Sequence, residues 1–97
     1  MSLKKHFPFF ANNPDLIYLD SAATTQKPKS VIDAMSVFYG CNNVNVHRGS
    51  YQAAKNTTAQ YEQARSAVAN FIGAVSPSNI VWTKGTTDSI NLVAQSW

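Results

Sequence analysis

An apolar stripe over residues 51–72 constrains the fold of this chain more than any other feature of its sequence. The stripe recurs at steps of three and four residues and consists of Tyr51, Ala54, Thr58, Tyr61, Ala64, Val68, Phe71 and Ile72. This spacing places its members on one face of a helix, and that face needs cover from other parts of a protein. Gly73 follows directly, in the position where glycine commonly ends a helix. The pattern predicts one long amphipathic helix.

Weaker patterns predict the elements that precede and follow this helix. A shorter helix is expected to begin near Pro28 or Ser30, with an apolar face made of Val31, Ala34, Met35 and Phe38. Residues 16–20, LIYLD, and residues 79–83, NIVWT, are typical of short strands. Residues 1–14 are predicted to be irregular. The segment is therefore expected to be mostly helical with two short strands.

The second predicted strand leads through a glycine turn into a last helix, in the stretch VWTKGTTDSINLV. Gly85 permits a close backbone approach or a positive φ, and either Thr86 or Thr87 can cap the helix. The first helical N–H groups then point outward at the positive end of the helix dipole, an arrangement suited to phosphate. On the motif alone, an ordinary capped helix with Asp88 in its first turn is favoured over phosphate binding.

Composition and charge exclude several classes of protein. The apolar fraction of 44% supports a folded core, and the formal net charge of +3 comes from dispersed basic residues. A nucleic-acid surface needs such residues to be clustered, so no nucleic-acid partner is predicted. The sequence has no apolar run of membrane-spanning length and no secretion signal, which predicts a soluble cytoplasmic protein without a membrane partner.

Cys41 is the single cysteine of the chain. It allows no intrachain disulfide and makes a cysteine-based metal site improbable, so no metal is predicted. No basic residue is adjacent in the sequence to favour its thiolate, and a passive thiol is therefore preferred over a nucleophile. At the C-terminal end, the last helix reaches Trp97 without a stop signal while its apolar face continues. We expect the sequence to be a piece of a longer protein.

Three motifs in this order give the chain a family resemblance. YLDSAATTQKP, NVHRGSY and VWTKGTTDSINLVAQSW resemble the N-terminal part of the cysteine desulfurases and selenocysteine lyases, in the class V branch of pyridoxal-phosphate-dependent enzymes. The resemblance implies an α/β parent of fold type I. It implies a single N-terminal fragment, in which residues 1–50 form the entry strand and helix of the small domain. Residues 51–97 would contribute the long helix and the first strand and helix of the large domain.

The resemblance also implies roles for individual residues. The turn matching Gly85, Thr86 and Thr87 would hold the phosphate of pyridoxal 5′-phosphate, with Thr87 as the first choice for direct contact. Ala22 and Ala23 would border the substrate entry, although a plain turn after a strand is an equal alternative.

A second group of residues is placed by the resemblance near the subunit interface and the partner's active site. This group is His47 and Arg48. Arg48 could pair with an acidic residue across a homodimer, and Asp88 matches a position where the family often has Glu or Asp. His47 has the alternative of an ordinary loop histidine.

The implied activity belongs to the parent and not to this chain alone. Such an enzyme converts cysteine to alanine and passes the sulfur to one of its own cysteines for iron–sulfur cluster assembly, with a sulfur-acceptor protein as a further partner. The cofactor-bearing lysine and the sulfur-accepting cysteine lie beyond this segment in the family, so the segment has no catalytic residues and is expected to be inactive. A selenocysteine lyase, another class V enzyme and a non-catalytic helical interaction module remain as alternatives.

Overall fold

The chain forms helices joined by extended and irregular segments in the computed structural model, which describes residues 3–97. The α-helices are α1 (Pro8–Asn12), α2 (Lys29–Val37), α3 (Gln52–Ile72) and α4 (Thr86–Ser96). Two short 3₁₀ segments, Leu3–His6 and Pro77–Asn79, and a π-helical turn, Phe38–Asn42, complete the elements. The chain divides into a first unit that ends at Val44 and a second unit, Asn45–Trp97.

Helix α3 confirms the long helix predicted from the apolar stripe. It ends at Gly73, which has the left-handed backbone conformation (φ 71°) that glycine adopts without strain. The N–H groups of Gly73 and Ala74 donate to the carbonyl oxygens of Asn70 and Ala69, at 3.3 and 2.9 Å. The last turn of the helix is thereby closed, as the sequence predicted.

Small side chains allow the second unit to pack around α3. Ala54 and Ala69 on this helix are completely or almost completely buried, as are Thr57 and Ile80. Gly49 passes so close to the start of the helix that a Cβ atom there would lie 2.5 Å from the Cβ of Ala54. The loop before α3 can therefore reach the helix only because residue 49 has no side chain.

Helix α2 of the first unit forms where it was predicted, but its apolar face is exposed. Pro28 precedes the helix and accepts the N–H of Val31 at 3.0 Å, while Lys29 and Asp33 form an ion pair at 2.7 Å. Val31 and Met35 are 44% and 55% exposed. The helix is therefore held by local contacts in this unit.

The N-terminal segment is more regular than predicted. The expected irregular stretch contains a 3₁₀ segment and α1, in which Pro8 occupies the first turn. The ring of Phe9 meets those of Phe10 and Tyr18 edge to face, at 5.5 and 5.6 Å between centroids. This aromatic contact gives the segment an order that its sequence periodicity did not reveal. Met1 and Ser2, which the prediction included, lie outside the described residues.

The prediction of two short strands was wrong. Residues 16–20 and 79–83 are not strands, and the structure assigns none over residues 3–97. A strand exists only when its backbone pairs with another, and neither segment finds such a partner within the described chain. Leu19 and Val81 are accordingly 90% and 65% exposed.

Candidate functional site

The candidate site is the turn that opens helix α4. Gly85 stands just before the helix in an extended conformation, with φ 161° and ψ −178°. Over residues 3–97, no acceptor meets the backbone N–H groups of Thr86, Thr87 and Asp88, and the two threonine hydroxyls make no hydrogen bond. The turn therefore presents three backbone donors and two hydroxyls at the positive end of α4.

A pair of hydroxyls holds the carbonyl group of Gly85. Thr83 Oγ1 and Ser89 Oγ are hydrogen-bonded to each other at 2.7 Å, and both lie 3.2 Å from the carbonyl oxygen of Gly85, to which a hydroxyl proton can be donated. The N–H of Ser89 donates to the same oxygen at 3.1 Å. These contacts turn the carbonyl of Gly85 into the helix and leave the following N–H groups facing outward.

The prediction that Thr86 or Thr87 caps the helix was wrong. Neither side chain accepts a hydrogen bond from the first turn, and Gly85 occupies the cap position. Asp88 bonds back across the turn instead, because its Oδ2 accepts the N–H of Lys84 at 3.1 Å. The threonine hydroxyls are thereby left available to a ligand.

Part of this donor set, on Thr87 and Asp88, borders a pocket large enough for a phosphate group. The pocket has a volume of about 390 Å³ and is lined by Lys84, Gly85, Thr87, Asp88 and Asn91. A Cβ atom at residue 85 would meet open space, so the approach to the turn is clear. Phosphate oxygens accept hydrogen bonds from backbone N–H and hydroxyl groups, and Lys84 supplies a nearby positive charge. The donor set therefore fits a phosphate. The carboxylate of Asp88 accepts the N–H of Lys84.

The predicted substrate-entry residues lie in a separate turn of the first unit. Ala22 and Ala23 are exposed, and the N–H of Ala23 donates to the carbonyl of Asp20 at 3.2 Å. The Tyr18 hydroxyl spans this turn, because its single proton is shared between the carbonyl oxygens of Asp20 and Thr24. The small residues thus occupy an ordered turn, and their role at a substrate entry stays a prediction.

His47 and Arg48 differ in their surroundings. His47 has a left-handed backbone (φ 62°), donates its N–H to Thr58 Oγ1 at 3.0 Å, and places its Nε2 3.3 Å from Glu62 Oε1. Arg48 is exposed and forms no ion pair among the described residues. His47 is therefore held by contacts with Thr58 and Glu62, whereas the Arg48 side chain is exposed. The interface role of both residues stays a prediction.

Sequence reasoning missed four polar residues that organise the second unit. Thr83 and Ser89 hold the turn, and Glu62 and Arg65 form an ion pair on α3. The spacing of Glu62 and Arg65 by three residues on a helix was a usable signal for their pairing. No comparable signal exists for Thr83 and Ser89, whose contact depends on the shape of the turn.

Other kinds of site receive no support from the described part of the chain. Residues 3–97 contain no group of three His, Cys, Asp or Glu side chains that could hold a metal ion. Cys41 is exposed in the π-helical turn. No helix within the described range is both long and apolar enough to cross a membrane.

Comparisons with known proteins connect this chain to one family. The aminotransferase class-V family model matches residues 17–97. A probable cysteine desulfurase of Vibrio cholerae is 52% identical over 99 residues, which cover 99% of this chain and 24% of the relative. The cysteine desulfurase SufS of Plasmodium falciparum is 45% identical over 94 residues, or 97% of this chain and 17% of the relative.

A solved structure shows the same relationship. The apo structure of a cysteine desulfurase from Thermococcus onnurineus matches with a TM-score of 0.84 and 42% sequence identity, over 95% of this chain and 22% of that one. The resemblance predicted from the three motifs is therefore confirmed. The chain spans about a quarter or less of the length of these relatives.

Proposed function

Because the chain belongs to the class-V aminotransferase family, we propose that it forms the N-terminal part of a cysteine desulfurase that uses pyridoxal 5′-phosphate. The proposed parent converts cysteine to alanine and transfers the sulfur to one of its own cysteines, as a persulfide for iron–sulfur cluster assembly. The names of the similar proteins from Vibrio cholerae, Plasmodium falciparum and Thermococcus onnurineus support this choice of activity.

The observation that carries the proposal is the set of donors at the start of α4. The N–H groups of Thr86, Thr87 and Asp88 lack acceptors within residues 3–97, and the hydroxyls of both threonines are uncommitted there. A phosphate dianion at a helix N-terminus needs such donors in number. We assign the phosphate of the cofactor to Gly85, Thr86 and Thr87, with Thr87 in direct contact.

The residues of this chain bind and orient, and the chemistry is completed elsewhere in the parent. Pyridoxal 5′-phosphate supplies an electron sink when it is bound. Hydrogen bonds from the turn would fix the phosphate end of the cofactor, and Lys84 would offset part of its charge. By resemblance, the cofactor-bearing lysine and the sulfur-accepting cysteine lie beyond residue 97.

The remaining assignments follow from the same parent. We place residues 1–50 at the entry to the small domain and residues 51–97 at the start of the large domain. Ala22 and Ala23 are assigned to the substrate entry, and His47, Arg48 and Asp88 to the region of a homodimer interface. A cytoplasmic location and a sulfur-acceptor partner belong to the same proposal.

Replacing Thr87 by valine in the full-length protein tests the phosphate site. Valine keeps the shape of threonine but removes a charge-assisted hydrogen bond, typically worth about 1.5–3 kcal/mol. We expect the apoprotein to bind pyridoxamine 5′-phosphate about tenfold to a hundredfold more weakly. This ligand lacks the aldehyde, so its dissociation constant, measured by calorimetry, reports non-covalent contacts alone.

Thr25→Val is the matched control, because Thr25 lies outside the turn and its hydroxyl donates to the carbonyl of Ser21. Its affinity for pyridoxamine 5′-phosphate is expected to equal that of the unsubstituted protein. Equal affinities for Thr87→Val and the unsubstituted protein would show that the turn is an ordinary helix start.

The 97-residue chain by itself is expected to release no sulfide from cysteine, because the two reactive side chains of the family lie outside it. A sulfide assay with a heat-killed control measures this directly. Sulfide release that disappears in Cys41→Ser would contradict the proposal and would give Cys41 a catalytic role.

A further inference from the structure

The carboxylate of Glu62 connects two segments that are far apart in the sequence. Its Oε1 lies 3.3 Å from Nε2 of His47, in the loop before α3, and its Oε2 lies 3.3 Å from Nε of Arg65, one turn further along the helix. The Glu62 side chain is 46% exposed and that of Arg65 24%. Partial burial makes such a shared carboxylate more effective than a fully exposed ion pair.

Arg65 extends the connection to the segment that precedes the candidate site. Its Nη1 donates to the carbonyl oxygen of Ile80 at 3.1 Å, and Ile80 is itself 7% exposed. The Nε atom of Arg65 is shielded from solvent, and Glu62 attracts it without a well-aligned hydrogen bond. The negative charge of Glu62 therefore lies beside the guanidinium group that binds the carbonyl of Ile80.

Aromatic contacts of Tyr61 on α3 join the same two segments, the loop at His47 and the stretch that contains Trp82. The ring of Tyr61 lies edge to face with His47 at 5.4 Å and with Trp82 at 6.4 Å, and the guanidinium of Arg65 lies 5.4 Å from the Tyr61 ring centre. One face of α3 thus holds residue 47 on one side and residues 80–82 on the other. Thr83, whose hydroxyl holds the Gly85 carbonyl, follows Trp82 directly.

We propose that Glu62 and Arg65 are positioning residues for the cofactor phosphate. They touch no part of the turn itself, but they fix residues 80–82 on α3 and so set where the turn at Gly85 begins. A phosphate site made of backbone N–H groups depends on such placement, because the donors cannot move independently of the chain. This inference rests on the proposed function of the turn.

The test compares two ligands that differ only in the phosphate group, pyridoxamine 5′-phosphate and pyridoxamine, on the full-length apoprotein. Glu62→Gln keeps the side-chain shape and removes the charge that both His47 and Arg65 approach. We expect the affinity for pyridoxamine 5′-phosphate to fall by about threefold or more, as is typical within one network. The affinity for pyridoxamine is expected to stay unchanged.

Two further variants sharpen the test. Arg65→Lys is expected to lower the affinity for pyridoxamine 5′-phosphate in the same way. A single ammonium group lacks the planar guanidinium that reaches Glu62 and Ile80 together. Gln63→Glu is the matched control: it exchanges the same two functional groups at an exposed neighbouring position and should leave both affinities unchanged.

The outcomes separate this inference from the proposed function. Unchanged phosphate affinity in Glu62→Gln, together with the expected loss in Thr87→Val, overturns the positioning role alone. An equal loss for both ligands, with a lower midpoint of urea unfolding, also overturns it, since that result indicates general destabilisation. Unchanged affinity in Thr87→Val removes the phosphate site and the positioning role with it.

Discussion

The two units of the chain differ in the contacts that stabilise each of them internally. In the second unit, α3 makes contacts with residues distant in sequence, such as His47 with Thr58 and Arg65 with Ile80. Every buried residue of the described chain lies in this unit. The contacts described for the first unit join residues closer in the sequence, such as the ion pair of Lys29 and Asp33 and the rings of Phe9 and Tyr18.

Even in the second unit the predicted apolar stripe is buried only in part, since Ala54 is buried whereas Tyr51, Phe71 and Ile72 are exposed. The buried positions of α3 include two alanines, Ala54 and Ala69, and a glycine passes close to the first of them. Close approach of backbone to helix is possible there, whereas the larger side chains of α2, such as Met35, remain uncovered. The turn proposed to bind the cofactor belongs to this second unit, which has buried residues of its own.

The largest effect is expected from overpacking the second unit. In the 97-residue chain, Ala54→Leu should lower the free energy of unfolding by about 1–3 kcal/mol, because Ala54 is completely buried against Gly49. Its neighbour Ala53 is exposed, and Ala53→Leu is the control with little expected effect. Urea unfolding followed by circular dichroism measures both. Equal midpoints for the two variants would mean that the second unit has no packed core.

An intermediate effect is expected from replacing one glycine in each unit. Gly73→Ala should lower the free energy of unfolding by about 1 kcal/mol, because alanine is strained at φ 71°. Gly40, at the π-helical turn of the first unit, has a normal φ and open space around it. Gly40→Ala should be neutral or stabilise by up to about 1 kcal/mol. Thermal unfolding that ranks the two variants in the opposite order would contradict the helix ending at Gly73.

The smallest effect is expected from the ion pair of the first unit. Lys29 and Asp33 are 69% and 54% exposed, and pairs of this kind on a helix contribute about 0.3–0.5 kcal/mol. Lys29→Ala should therefore differ from Lys55→Ala, an exposed lysine of α3, by no more than this amount. The measurement is the free energy of urea unfolding of both variants, at low and at high salt. A loss well above 1 kcal/mol would show that the first unit contains more than local contacts.

The helices were predictable because their signals are local. The spacing of apolar residues and the position of Gly73 are sufficient to place α3, and the same reasoning located α2 and α4. The two strands were wrongly predicted because a strand depends on a partner that local sequence cannot supply. The short α1 was missed, although Pro8 in its first turn is a recognised sign of a helix start.

The turn before α4 was predictable from the sequence, but its hydrogen bonds were not. The glycine turn and its outward donors were expected from the sequence, whereas the bond from Asp88 back to Lys84 was not. Glu62 escaped notice because its partners lie in different parts of the chain, at His47 and Arg65, and only folding brings the first of them close. The three-residue spacing on the helix could have indicated the pairing with Arg65, but nothing local indicated the contact with His47.

The exposed thiol of Cys41 allows the unfolding of the two units to be followed separately. It is the single cysteine and lies in the first unit, whereas both tryptophans, Trp82 and Trp97, belong to the second. A dye attached to the thiol would follow the melting of one unit, and indole fluorescence would follow that of the other. Recording the dye signal and the indole signal in one urea titration would thus show whether the two units unfold together or one after the other.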